Sequence, residues 1–425
     1  MDGYRKAEEM ELSCTGYIRT SSGEEKIKLA DIANKMPLDS FFDRGIADDE
    51  CGELVNLVLC VPGIDVVAAG PSSCSRVLYF RAGKKGLNEK LFLLPVSSND
   101  FATGKHLEKL EEALESLVTT RRSKAIIVYI TCADILMGTE FVSLTKRIES
   151  RYGIPVKVFE RGPLARRRTL PKERLCGIFV DLLQRGVLQE TKSHINLLGD
   201  SGKLPKDFGL RQILRNYCTG EEIREFAALD SYEEFEDMAN GKLNIALDRF
   251  GYDLAVRMWE KWNIPFLYLP ACYNMKEIKH NYAALMEGMQ VTWDFSQDAK
   301  EYHRVAAEVA VALVGKRIAV GIGPRSFELA QALELIGLSV AAIFAETVNK
   351  QDMTYIQALS ATGSQAEVFL VSNVTVETQM GGFEGIDIAI GEKASFYCLK
   401  AKEIVVSADY RFGYEGIIEI LEGMR

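Results

Sequence analysis

Asp65-Val66-Val67-Ala68-Ala69-Gly70-Pro71-Ser72-Ser73-Cys74-Ser75-Arg76 passes from an unbroken apolar run, through Gly-Pro, into a polar segment that opens a helix. Ala125-Ile126-Ile127-Val128-Tyr129-Ile130-Thr131-Cys132-Ala133-Asp134-Ile135-Leu136-Met137-Gly138 does the same through a threonine. Continuous runs of Val, Ile and Ala read as strands buried on both faces, as in parallel sheets. Open α/β sheets place their sites at strand carboxyl ends, and each stretch puts a cysteine there. A cysteine in a first helical turn faces free backbone N–H groups and the positive end of the helix dipole, and both favour thiolate. A small buried residue at a tight turn fits the same spacing, because cysteine is among the most buried residue types. Two such cysteines in separate strand–turn–helix units weigh toward chemistry.

The same grammar extends along the chain. Apolar runs at 65–69, 91–96, 125–131, 155–160, 194–198, 243–247, 265–269, 317–322, 339–345, 367–371, 386–390 and 403–407 are expected strands. Helical patterns alternate with them at 107–117, 141–151, 175–184, 254–262, 275–289, 302–314, 327–336 and 414–423. This alternation implies parallel sheets joined by right-handed crossovers. A dozen strands exceed one sheet, so two or three doubly wound domains are expected. The irregular stretches 161–168 and 292–301 suggest an N-terminal arm at 1–45 and α/β domains at 46–170, 171–295 and 296–425.

A net charge of −9 and a pI near 5.3 disfavour nucleic acid as a partner, which needs a basic field. The apolar runs are far shorter than the roughly 20 residues of a membrane span. Residues 1–11 are charged, with no apolar stretch, so no export signal and a cytoplasmic location are expected. The nine cysteines are odd in number and not arranged for a disulfide framework. No CxxC pair occurs, so a metal site must be assembled from distant segments. A third candidate ligand is Cys51, in Asp49-Glu50-Cys51-Gly52 at the start of the helix preceding the first strand; Cys60, in the same helix, reads as a core residue.

The order Cys51, helix, strand, Gly70-Pro71-x-x-Cys74, then Thr131-Cys132 with Gly138 following, resembles the nitrogenase component 1 family. Members include the nitrogenase MoFe-protein α and β subunits, the protochlorophyllide and chlorophyllide reductase subunits, and the reductase of coenzyme F430 synthesis. Cys51 precedes Cys74 by 23 residues, and Cys132 follows by 58. Gly315-Lys316-Arg317-Ile318-Ala319-Val320, 386–391 and Gly413-Tyr414-Glu415-Gly416 are similar to later parts of that family. The resemblance covers most of 46–425 and implies three Rossmann-like domains around a central cleft. It also implies that Cys51, Cys74 and Cys132 ligate an iron–sulfur cluster, [4Fe–4S] or P-cluster-like, completed by a second component 1 subunit. Soft thiolates suit such clusters.

Two departures stand out. Ser73 occupies a position where the family usually has glycine. The strand at 243–247 is followed by Asp248 where molybdenum nitrogenase α subunits carry a cofactor-binding cysteine. The histidines are His106, His194, His280 and His303, so the C-terminal histidine ligand of those α subunits has no counterpart. The chain thus looks like a β-type subunit, or like reductases whose cavity binds an organic substrate directly.

Asp248 reads as a proton donor, as the cap of the following helix, or as a partner of Arg249. Arg161, Arg166, Arg167 and Arg168 form a basic run that could anchor substrate carboxylates or phosphates; a solvated or subunit-contact face is the blander reading. Gly321-Ile322-Gly323-Pro324-Arg325-Ser326 reads as a tight β–α turn, His194 as a structural histidine, and no P-loop is present. The resemblance therefore implies an oxidoreductase subunit that takes electrons from an ATP-dependent iron protein, through the cluster, to a small-molecule substrate. A cluster-assembly scaffold of the same family and a cluster-free α/β ligand-binding protein are the alternatives.

Overall fold

The computed structural model describes residues 27–29, 47–161, 165, 171–183, 194–200, 204, 209–217, 221–321, 325–345, 348, 351–371, 383–406 and 411–425. Their strands are β1 (Ile27–Lys28), β2 (Ile64–Gly70), β3 (Leu91–Pro95), β4 (Ala125–Ile130), β5 (Val156–Glu160), β6 (His194–Leu198) and β7 (Glu222–Glu225). They continue as β8 (Leu243–Ala246), β9 (Phe266–Tyr268), β10 (Arg317–Val320), β11 (Ser339–Ala345), β12 (Glu367–Leu370), β13 (Ile388–Ile390) and β14 (Lys402–Ile404).

They form three sheets, ordered β3-β2-β4-β5, β7-β6-β8-β9 and β1-β12-β11-β10-β13-β14. All pairings are parallel except that of β1, which adds an antiparallel edge to β12 with Ile27 opposite Val368. In each sheet the chain winds outward from one central strand, then returns to that strand's other side. The direction reverses between β2 and β4, between β6 and β8, and between β10 and β13. These are the switch points at which doubly wound sheets open a crevice. The fold is α/β with three Rossmann-like parallel sheets.

Every strand expected from the sequence is present, with ends differing by a few residues. β1 and β7 were not expected. Glu222-Ile-Arg-Glu is an edge strand, and charged residues at an edge guard against unwanted pairing while erasing the apolar signal.

The chain clusters into two compact units. One spans Ile46–Leu204 with Cys218–Tyr268 and holds both four-stranded sheets; the other spans Met1–Gly45, Pro205–Tyr217 and Leu269–Arg425 and holds the six-stranded sheet. In the first unit, one core cluster joins the helices Ala47–Cys60 and Pro171–Leu182 to one face of β2, β4 and β5. It continues into the second sheet through Phe179, Phe226, Phe235 and Phe250, whose rings meet edge to face. A separate cluster packs the helices Lys105–Arg121 and Val142–Tyr152 on the opposite face of the first sheet. Helices on both faces explain why β2 and β4 are buried along their whole length. Among the described residues, no helix is long and apolar enough to cross a membrane.

Candidate functional site

The helix Ala47–Cys60 packs on β2 and is joined to it by 61–63, so it runs antiparallel to β2. Its N-terminal end therefore lies toward the carboxyl edge of the first sheet. Cys51 sits in that N-terminal portion; its side chain is outside what the structure describes. Cys60, read above as core, is instead exposed. Residues 54–59 of this helix are all buried, and exposure begins at its last residue.

β2 and β4 are neighbours, and their carboxyl ends carry the other two cysteines. Gly70 closes β2 with φ +143°, and a Cβ there would press into Thr131 Cγ2. Only glycine allows the two strand ends to approach this closely. Pro71 then precedes the helix Ser72–Lys84, where Cys74 is the third residue, exposed, with its N–H donating to Pro71 O at 2.9 Å. Thr131 caps the short helix Cys132–Met137, and its N–H and hydroxyl donate to Asp134 Oδ2 at 3.2 and 3.3 Å. That brace holds Cys132 half-exposed at the strand end, its thiol donating to Arg161 O at 3.8 Å.

Arg161 follows β5, and its N–H donates to Ile130 O at 3.2 Å. The basic run was read above mainly as a solvated face, but Arg161 is only 6% exposed. Among the described residues its buried Nε and Nη2 find no hydrogen-bond partner. Arg166, Arg167 and Arg168 lie outside the described residues. The structure thus brings Cys74, Cys132 and Arg161 to one sheet edge.

The two helices that carry these cysteines also expose apolar side chains. Val77 and Phe80, on the helix that carries Cys74, are 47% and 65% exposed; Leu136 and Met137, on the helix that carries Cys132, are 75% and 52% exposed. Among the described residues no group of three or more His, Cys, Asp or Glu side chains could hold a metal ion. Two unbridged, accessible thiols and an orphaned buried guanidinium are nevertheless groups whose chemistry suits an anionic cluster.

The second sheet has its own feature at its switch point. Asp248 follows β8 and caps the helix Arg249–Trp262, accepting from Gly251 N–H at 2.8 Å. A Cβ on Gly251 would collide with the carbonyl of Leu198, so this helix start sits directly on the end of β6. Asp248 Oδ2 also accepts from the N–H of Asp200, which follows β6, at 2.6 Å. Arg249, once a possible partner of Asp248, bonds Asp253 at 2.8 Å. Burial, and then the negative charge of Asp200, push the Asp248 carboxyl up to about 7. Burial acts on Asp200 too, but the Lys172 ammonium, 2.9 Å away, holds it below the ordinary carboxylate range. The pair therefore keeps one proton, on Asp248, through mildly acidic pH. Asp200 went unnoticed in the sequence, although an aspartate just past a strand is the same signal that marked Asp248. His194 is buried beside Arg224 and Asp237, consistent with a structural histidine.

The Asp248 proton makes a stability prediction. The unfolded carboxyl loses its proton near pH 3.9, whereas the folded one keeps it to about 7. Between these values the folded state binds more protons, so stability falls as pH rises through the window. Asp248→Asn keeps a good cap and is expected to remove this slope, on the order of 1 kcal/mol per pH unit at most. Urea melts at pH 4, 5.5 and 7 test it; parallel profiles for the two proteins would contradict the shared-proton assignment.

Comparison with known proteins adds to this geometry. Nitrogenase Cp1 at pH 6.5 superposes with a TM-score of 0.69 at 14% identity, covering 93% of this chain and 95% of that one. Nitrogenase Cp1 at pH 5 gives 0.64 at 16% identity, covering 95% and 94%. The nitrogenase iron-molybdenum cofactor biosynthesis protein NifE of Clostridium pasteurianum is 21% identical over 312 residues, 69% of this chain and 67% of that protein. The family model described as nitrogenase component 1 type oxidoreductase matches residues 57–424, a span that starts after Cys51 and contains Cys74 and Cys132. The chain belongs to the nitrogenase component 1 type oxidoreductase family.

Proposed function

We propose that this chain is a nitrogenase-like oxidoreductase subunit that binds an iron–sulfur cluster through Cys51, Cys74 and Cys132. The observation that carries the reading is the meeting of two accessible cysteines at adjacent central strand ends, locked by Gly70 against Thr131. When bound, a [4Fe–4S] or P-cluster-like group supplies an electron-carrying couple. Cys51, Cys74 and Cys132 would hold it as thiolates, and Cys132 would then no longer donate to Arg161 O. Electrons come from an ATP-dependent iron protein, and a small molecule is reduced. Asp248, whose carboxyl burial pushes up to about 7, is the proposed proton donor to the substrate. Arg166 and Arg167 remain proposed substrate contacts.

The exposed Val77, Phe80, Leu136 and Met137 on the two cysteine-bearing helices support a second component 1 subunit covering these helices, since exposed apolar side chains mark protein contacts. Phe80→Asp is expected to weaken self-association or pairing with that subunit by about tenfold or more, and to lower iron content with it. Sedimentation of the reconstituted protein checks this; an unchanged assembly and iron content would remove this face from consideration.

A second reading has one specific observation behind it: the NifE relative is by its description a cofactor biosynthesis protein. The same site would then hold a nascent cluster for transfer. Anaerobic assay with a purified iron protein, MgATP and dithionite separates the two. Substrate reduction beyond the ATP-free control supports the reductase; transfer of iron to an acceptor protein without reduction supports the scaffold.

A further inference from the structure

Arg161 is the one residue of the cysteine edge whose chemistry is left open. Its backbone extends β5 to the level of the strand end leading into Cys132. It follows Phe159 by two residues, and strand alternation places both on one side of the sheet. Phe159 packs in the core shared with Ala47–Cys60, the helix that carries Cys51. Arg161 thus stands at the end of β5 beside the Cys132 segment, its carbonyl accepting from the Cys132 thiol at 3.8 Å.

The two orphaned groups, Nε and Nη2, form one side of the guanidinium fork. Elsewhere in the chain this same side closes on carboxylates. Arg147 Nε and Nη2 donate to the two oxygens of Glu111 at 3.1 and 2.7 Å, and Arg304 does so to Glu301 at 2.9 and 2.5 Å. At Arg161 the fork is buried and unused, so it is a receptor for an anion with two neighbouring acceptor atoms. A guanidinium stays charged, and burying it without a counter-charge is unfavourable. A bound anion would supply the counter-charge.

We propose that Arg161 donates this fork to sulfur atoms of the cluster held by Cys51, Cys74 and Cys132, and so favours its reduced, more negative state. The proposal rests on the cluster reading above. Arg161 is a positioning and tuning residue: it neither ligates iron nor carries electrons.

The test is a dithionite titration of the reconstituted protein, followed by EPR, on wild type, Arg161→Met and Arg161→Lys. Arg161→Met is expected to keep its iron and shift the one-electron reduction equilibrium roughly tenfold toward the oxidised cluster, about 59 mV; Arg161→Lys is expected to recover part of the shift. A wild-type midpoint in an iron-loaded Arg161→Met protein would overturn the proposal and leave the cluster reading intact. Wild type without iron would overturn both. Thermal melts of the apoproteins give a second readout. Arg161→Met is expected to raise the apoprotein melting temperature by removing an uncompensated charge, and a fall would show that Arg161 serves the fold instead.

Discussion

Cys74→Ala is expected to abolish iron retention while leaving the fold in place. The side chain is exposed at the third position of the helix Ser72–Lys84, so truncation to alanine, the best helix former, removes no core contact. The fold should change by less than about 0.5 kcal/mol, as for other surface substitutions. Cluster binding should instead collapse, since removal of a thiolate ligand leaves an iron open to solvent. Cys132→Ala should behave alike for iron, with a small stability cost from its half-buried position. Iron and acid-labile sulfide analysis together with a urea melt separates ligand loss from unfolding. A Cys74→Ala protein with the iron content of wild type would mean that this thiol is no ligand. The same measurement on Cys51→Ala asks whether the helix Ala47–Cys60 contributes the third thiolate.

Gly70→Ala is the second large effect, and it acts through the fold. Gly70 adopts φ +143°, a conformation that side chains rarely take, and its missing Cβ is the space that Thr131 Cγ2 fills. Backbone strain and overpacking each contribute about 1–3 kcal/mol, so the variant should lose about 2–6 kcal/mol. Thr131→Ser in that background removes the clashing methyl and keeps the hydroxyl that bonds Asp134, so it should restore the packing part and not the strain. Denaturant melts of the single and double variants measure the coupling. A Gly70→Ala protein within about 0.5 kcal/mol of wild type would contradict the close meeting of the β2 and β4 ends on which the cysteine site depends.

Both effects sit in segments whose meaning was legible from sequence. β2 and β4 are buried on both faces, so their apolar runs are uninterrupted, and the turn residues Gly70-Pro71 and Thr131 mark where each stops. Local grammar of this kind carries the strand, the turn and the cysteine together. Partially polar elements were harder to see. β7 alternates charge with a single isoleucine, and β1 is two residues long, so neither rises above its surroundings. Arg161 was read with its basic neighbours because a run of arginines resembles a solvated face. Its burial depends on β5 ending beside β4, a tertiary fact with no local signature. Cys60 misled in the opposite direction. An apolar helix suggests a buried cysteine, but Cys60 is the last residue of that helix, where its cover ends. Asp248 was noticed for its place after a strand, but its raised proton affinity comes first from burial and then from the charge of Asp200, 48 positions earlier, at the partner strand end.

The measurement closest to the central claim is iron and acid-labile sulfide content, with EPR of the dithionite-reduced sample, on wild-type protein purified and reconstituted without oxygen. A reduced iron–sulfur signal with matched iron and sulfide, lost in Cys74→Ala and in Cys132→Ala, is the predicted result. Wild-type protein that folds, assembles and carries neither iron nor sulfide would contradict it. The paired strand-end cysteines would then be features of the fold, not ligands.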